Sequence, residues 1–584
     1  MQQSRTEVQR PPRNWVRPVV AAGFLLVFFI TAWLPGGFFS RDIIEWVQDY
    51  APVGGNLYIS ALLAGVPIFT MFLLLGGLKK PAHVSALISL TATLLVAIMV
   101  WKMPVGLAFN STMLGMLVAV FPILWTLSSA VWIFNMTVES GYFEVVKSSL
   151  GYVSRDRRIQ TLLVGFGFTT LLEGIAAFGA PIAIVTAMLL GFGFPPLTAA
   201  TVALLADTTP SVWGTQGMPV VVLSSVTGLD INELSAMSGM QAPVLTAFFP
   251  VALVILIAGW KGFKEIWPLT IAVGFSYAIV GILASKSGPY IVGISASLAS
   301  ILTILLVLRF WRPKSTWLFP GEEELPAAKG SEKRVPIREI IRAWSPYLLL
   351  IGVIGLVTGT PLKKWLTTIS TVNIEWPGLH NTVWKLAPVV PHSEPYAAVY
   401  SQPLLVVGGS LVFLAGVISV FVLGIKPAKA AQVYIATIKK LLLPGVTIVS
   451  ILGIAYLMNY AAMTYTIGLA FAATGFLFPV AVALMGMLGC TLAGSVAASN
   501  ALFGNLSVVS GAQLGIDPVF SAGTLASGGT MGKAIAFQDL VIASATLNKP
   551  GIEGELLRRV FGISLIFVLL LGALAMLQLH VLLK

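Results

Sequence analysis

Apolar stretches of about twenty residues recur from Val16 to Leu583, and the charged residues collect in the short gaps between them. A hydrocarbon core about 30 Å thick takes roughly 20 helical residues to cross. The pattern therefore predicts spans near 16–35, 57–78, 82–101, 105–137, 236–260, 266–284, 289–309, 346–359, 404–425, 441–478 and 559–580. Two stretches depart from it. Residues 161–194 are apolar but carry Gly165, Gly167, Gly174, Gly179, Gly191, Gly193 and the break Ala180-Pro181, while 480–512 are rich in glycine, alanine and serine. Such backbone is tolerated at membrane depth where it is buried in protein or lines a cavity. Each stretch is read as a re-entrant hairpin, the first entering from the cytoplasm and the second from outside.

Each hairpin is followed by a helix interrupted in mid-span. Span 197–228 is broken at Asp207-Thr-Thr-Pro210 and Gly214-Thr-Gln-Gly217-Met-Pro219, and span 518–545 at Ser527-Gly-Gly529 and Gly532-Lys533. Glu173 and Asp207 are 34 positions apart, as are Gly494 and Gly528, so the two blocks overlay. A hairpin and a broken helix presented once from each side is the pattern of inverted-repeat transporters, with substrate held at the midplane. The expected fold is an all-α polytopic membrane protein of about 13 transmembrane helices plus two re-entrant hairpins. It forms a single transport domain: a first half over 1–310, a cytoplasmic loop over 311–345 and a second half over 346–584.

Charge fixes the orientation. Placing Arg5, Arg10, Arg13 and Arg17 inside also places Lys79, Lys80, Lys147, Arg155, Arg157, Arg158, the 309–342 stretch, Lys426, Lys429, Lys439 and Lys440 inside, as the positive-inside rule requires. The N-terminal run resembles a signal peptide without a small-residue cleavage site and is expected to stay as the first helix. Residues 139–158 are expected to lie on the cytoplasmic surface. The net charge of +12 thus reflects topology rather than a nucleic-acid partner, and membrane lipid is the expected surround. Charged residues make up 10% of the chain against about 25% in soluble domains. The single cysteine, Cys490, allows no intrachain disulfide, and no Cys/His spacing suggests a metal or cofactor. His83, His380, His392 and His580 are scattered at span ends or in the outer loop and form no relay, while Trp365, Trp376 and Trp384 read as interfacial anchors.

Sparse charge picks out the chemistry. Between Gln160 and Leu229 only Glu173 and Asp207 are charged, and between Leu441 and Asn548 only Asp517, Lys533 and Asp539. A charge at the bilayer centre is costly and marks a cavity, a partner or a proton path. Glu173 and Asp207 are the proton-coupling candidates; Glu173 would equally serve as a hydrogen bond closing its hairpin, and Asp207 as a cap for the second half-helix. Lys533 would attract a carboxylate, or pair with one of those acids. Asp517 is assigned to an external turn and Asp539 to the cytoplasmic end of its helix. Thr208, Thr209, Gln216, Ser495, Ser499, Asn500, Asn505, Ser527 and Gln538 offer hydrogen bonds at the same depth.

Leu171-Leu-Glu-Gly-Ile-Ala-Ala-Phe-Gly-Ala-Pro181, Asp207-Thr-Thr-Pro210 and Gly217-Met-Pro219 resemble the L-lactate permease family. The resemblance continues at Gly494-Ser495, Ser499-Asn-Ala-Leu-Phe503, Ser527-Gly-Gly-Thr-Met-Gly-Lys533 and Gln538, and spans nearly the whole chain. It implies uptake of lactate, and often glycolate, by proton symport across the bacterial plasma membrane, and it adds Gly174, Phe178, Gly179 and Gly528 to the substrate-site candidates. The partners expected are a small monocarboxylate and protons, with a homo-oligomer left open. The chain departs from the family at Ala177, where a glycine is usual, at Val496-Ala497 in place of Asp-Thr, and at Ala536-Phe537 in place of Ser-Pro. These changes make the second half of the site more apolar. Sodium-coupled carboxylate transport is the competing reading. A passive channel needs less than two matched broken blocks, and a membrane enzyme lacks an HExxH or GxSxG motif.

Overall fold

The computed structural model describes residues 30–40, 44–78, 80–151, 153–176, 179–320, 322, 336–358, 360–549 and 551–582. Most of the expected 16–35 span, Lys79, Ala177 and Phe178 lie outside them. The protein is mostly helical, with eight helices among the described residues long and apolar enough to cross a membrane, or nine if the bent pair Leu57–Ala64 and Val66–Leu75 is one span. Large apolar side chains such as Met99, Phe310 and Phe421 stand on the outer surface, where lipid rather than water solvates them.

Proline and glycine explain most departures from straight spans. The 105–137 stretch is bent at Phe121-Pro122, because proline removes a backbone donor and crowds the preceding turn. The pair expected at 236–260 and 266–284 follows two short helices, Ile231–Gly239 and Ala242–Thr246, as the run Phe249–Ser285 broken at Gly259 and Ile266. The span expected at 441–478 is instead Pro427–Tyr460, which ends where Ala462 turns left-handed at φ 68°. Its first four turns carry Lys429, Lys439 and Lys440, which lowered the hydropathy of a stretch that is nonetheless helical. The helix of the 346–359 span begins at Ile337, so the cytoplasmic loop is shorter than 311–345.

The fold is not purely helical. In the segments expected outside, β1 (Trp46–Val47) pairs in parallel with β3 (Val383–Lys385), which pairs antiparallel with β4 (Glu394–Pro395), and β2 (Thr371–Glu375) pairs antiparallel with β5 (Val399–Pro403). This layer absorbs two of the three tryptophans expected as anchors. Trp376 is buried and donates its indole N–H to Asn110 Oδ1 at 2.7 Å, and Trp384 lies in β3, leaving Trp365 exposed.

The elements that position the site are α1 (Ala82–Met99), α2 (Thr169–Ala176), α3 (Ala180–Gly191), α4 (Pro196–Thr208), α5 (Gly214–Thr227), α6 (Pro427–Tyr460), α7 (Phe478–Ala493), α8 (Val496–Gln513), α9 (Pro518–Gly532), α10 (Phe537–Thr546) and α11 (Glu553–Leu577). Helices α7 and α9 pack backbone against backbone. A methyl group on Gly486 would overlap Leu525 O, and one on Gly528 or Gly532 would overlap Ala483 O or Met487 O, the small-residue contact that lets membrane helices approach closely.

Candidate functional site

Two helix–turn–helix units flank the site. In the first, α2 and α3 join through Gly179, at φ 77°, and the outer ends of the unit meet on the basic face. There Arg157 stacks 5.8 Å over Phe194 and pairs with Glu322 at 2.8 Å, an ion pair and hydrogen bond that hold Glu322 below the usual carboxylate range. Arg158 is fully buried beside it, paired with Asp156 at 2.7 Å and Glu265 at 2.6 Å. In the second unit, α7 and α8 join through Gly494, at φ 79°, and Ser495, whose Oγ caps α8 by accepting from Ala498 N. Its outer ends meet where Gly511 lies beside the Phe478 ring. The two turns converge on α10: Gly179 packs against Ile542 and Gly494 against the Gln538 amide.

The two broken helices lie between these units. Helix α4 gives way to a 3₁₀ turn at Ser211–Trp213, and α5 starts through three residues of positive φ, Thr215 (46°), Gln216 (51°) and Gly217 (77°). Helix α9 gives way to a 3₁₀ turn at Lys533–Ile535 and an extended Ala536. This second break lies beyond Ser527-Gly-Gly529, which stay helical because those glycines serve contact with α7 rather than a bend.

At the breaks, four ionisable side chains come together, each almost fully buried. Lys533 Nζ stands 2.9 Å from Asp539 Oδ2 and 3.7 Å from Asp207 Oδ2, and Glu173 interacts electrostatically with all three. Their exposures are 4% for Lys533, 2% for Asp539 and Glu173, and 0% for Asp207. Both Asp207 oxygens, Glu173 Oε2 and Asp539 Oδ2 have no aligned hydrogen bond, so the 2.9 Å contact is an ionic approach with donor geometry unfulfilled. Asp207 sits in the last turn of α4 and caps nothing. Glu173 Oε1 lies 2.8 Å from where a Cβ on Gly214 would stand, so glycine at that break leaves room for the carboxyl.

Glu173, Lys533 and Asp539 line a cavity of about 330 Å³. Ser211, Thr215, Ser495 and Gln538 add polar groups to its wall, and Met218, Ile448, Ile451 and Leu452 make an apolar one. A neighbouring hollow lined by Lys80, Phe537 and Glu553 shares Ala82, Gln538 and Ile542 with it.

The other residues proposed from sequence are placed as follows. Ser495 and Gln538 line the cavity. Gly174 packs against the Gly293 backbone, Thr208 Oγ1 donates to Leu204 O, and Thr209 Oγ1 is buried without a partner. Gln216 Nε2 donates to Ile175 O at 3.2 Å, tying the first break to α2, and its Oε1 is unpartnered. Ser499 Oγ donates to Gly486 O and Asn500 Nδ2 to Pro219 O, bonds that join α8 to α7 and to the first break. Ser527 and Gly528 lie within α9, and Phe178 is outside the described residues. Two residues assigned elsewhere join the site. Asp539 is in the first turn of α10 rather than at its cytoplasmic end, and His83, in the first turn of α1, lines the cavity. The apolar departures Val496 and Ala497 also line it.

A family model described as L-lactate permease matches residues 60–582. The chain is 37% identical over 554 residues to the glycolate permease GlcA of Escherichia coli K12, covering 92% of this chain and 99% of that protein. It is 36% identical over 558 residues to an L-lactate permease of Bacillus subtilis 168, with coverage of 92% and 99%. Among solved structures, the YdaH transporter of Alcanivorax borkumensis aligns over 78% of this chain and 84% of its own, at 15% identity and a TM-score of 0.40.

Proposed function

Because this chain belongs to the L-lactate permease family, we propose that it takes up L-lactate or glycolate by proton symport, as a multi-pass carrier of the bacterial inner membrane. The observation that carries the reading is Lys533, the only lysine or arginine among the described residues lining the cavity, set among three buried carboxyl groups. Its ammonium is the group to hold the substrate carboxylate, while Ser495 and Gln538 face the 2-hydroxyl and the apolar wall accepts the methyl group of lactate. Glu173 and Asp207 pass the coupled proton between cavity water and the Lys533 cluster. An anion entering against a negative interior is opposed by about 2.3 kcal/mol per 100 mV, and a proton travelling with it removes that penalty.

The opposed helix–turn–helix units and broken helices support an inverted repeat with two re-entrant hairpins, in a chain of about 13 crossings. Proteoliposomes loaded with lactate test the function: external labelled lactate or glycolate is expected to enter by counterflow, and net uptake is expected to follow an imposed proton gradient and stop with an uncoupler. Uptake that ignores the uncoupler and disappears when choline replaces sodium would overturn proton coupling. No counterflow of either acid would overturn the substrate assignment.

A further inference from the structure

We propose that Asp539 holds the substrate's place on Lys533, so that the anion binds only when a proton has neutralised Asp539. The inference deepens the reading above and rests on it. The ammonium of Lys533 is closest to Asp539 Oδ2, at 2.9 Å, with Asp207 Oδ2 next at 3.7 Å. In a pocket where these side chains are at most 4% exposed, one ammonium flanked by two carboxylates has no charge left to offer a third. A substrate carboxylate must displace one of the two, and Asp539 is the one that also lines the cavity from which the substrate arrives; Asp207 does not. A proton on the Asp539 carboxyl ends its claim on the ammonium and converts it from competitor to hydrogen-bond donor toward the incoming anion.

The groups around Asp539 are few. Glu173 comes from α2, Asp207 from α4, Lys533 from the 3₁₀ turn after α9, the buried Cys490 thiol from α7, and His83 from α1 across the cavity. Helix α3 contributes no titratable residue, and on α11 Glu553 is engaged at the far end of α10 by the Ser544 hydroxyl at 2.6 Å. Lys533 stays an ammonium throughout. The proton lands on Asp539, the anion takes its position on Lys533, and departure of the anion restores the ion pair. Because the second break places Lys533 and Asp539 six residues apart on either side of the extended Ala536, small movements of α10 against α9 change their separation directly.

The test is proton uptake on binding, measured with a pH indicator on purified protein in weakly buffered detergent at pH 8, with L-lactate as the probe. Wild-type protein is expected to take up about one proton per anion bound and to lose affinity about tenfold per pH unit in the alkaline range. Asp539→Asn is expected to bind lactate at pH 8 at least about tenfold more tightly than wild type, with little proton uptake. Should that variant fail to insert, Asp539→Glu, which keeps the charge and moves the carboxyl by one methylene, is expected to shift the pH midpoint of binding. Wild-type binding without proton uptake, Asp539→Asn with wild-type uptake, folded Asp539→Asn that no longer binds, or Asp539→Glu with an unchanged pH profile would each overturn the inference. Failure of the wild-type protein to bind lactate at all would instead overturn the substrate assignment.

Discussion

At the scale of single residues, burial decides what a charge is for. Lys533 is 4% exposed, and a cation so placed is retained only with partners that satisfy it. Lys533→Met is expected to weaken lactate binding by roughly tenfold or more, as loss of a buried charge-assisted pair does; normal affinity in correctly inserted protein would remove Lys533 from the site. Glu173→Gln separates proton passage from structure. Glutamine keeps the hydrogen-bonding capacity of a closing side chain but cannot release a proton, so lactate exchange is expected to persist while net uptake fails, and wild-type net uptake would reject the role. Glu173, Asp207 and Lys533 were legible in the sequence because each interrupts a long uncharged stretch. Asp539 carried the same signal, but its depth depends on where the helix before it breaks. The break expected at Gly532-Lys533 is where the helix ends, whereas Ser527-Gly-Gly529 stays helical; reading 518–545 as one span that runs on to the cytoplasm nonetheless put Asp539 near its end rather than in the site.

At the scale of elements, glycine patterns had two meanings that sequence alone does not separate. Gly179 and Gly494 adopt positive φ and turn the chain at the head of each helix–turn–helix unit, whereas Gly528 and Gly532 stay helical and remove the side chains that would keep α9 from α7. The difference lies in the partner helix, about 45 residues earlier in the chain for Gly528, and no local pattern reports it. Gly528→Ala is expected to destabilise the protein by about 1–3 kcal/mol, the usual consequence of overpacking, read as a lower unfolding temperature in detergent. Gly562→Ala, where an added methyl meets nothing within 4 Å, is the control and is expected to leave that temperature unchanged or slightly raised, alanine being the better helix former. Equal melting of the two variants would show that α7 and α9 yield easily. The outer strands were missed for a related reason. Thr371-Val-Asn-Ile-Glu375 alternates as a strand does, but it lies beside lysines and tryptophans that also suit a membrane interface.

At the scale of the whole molecule, the proposed carrier is expected to be open on one face and closed on the other. The open face carries Lys80 and the hollow that shares Ala82, Gln538 and Ile542 with the site. On the opposite face a polar knot ties α5, α6, α8 and the strand layer together. Gln48 Nε2 donates to Asn459 O at 3.0 Å, Asn459 Nδ2 to Val226 O at 3.2 Å, Asn505 Nδ2 to Asn459 Oδ1 at 3.1 Å, and Tyr456 OH to Ser225 O at 2.7 Å. If the protein alternates access as proposed, this knot has to break to admit substrate from outside, and its bonds are expected to favour the state open to the basic face. Accessibility measures that directly. Thr447 lines the cavity from α6, and Cys490, the chain's own cysteine, is fully buried. A charged, membrane-impermeant maleimide is expected to modify Thr447→Cys in inside-out vesicles and to leave it largely unmodified in right-side-out ones. Lactate at saturating concentration is expected to slow the reaction, because the anion shares the cavity with the thiol. Preferential labelling from the outer side would place the open face opposite to the basic residues. If weakening the knot with Asn459→Ala leaves the two rates as they were, the closed face is held by something other than these bonds; a rise in outside labelling is the outcome the geometry predicts.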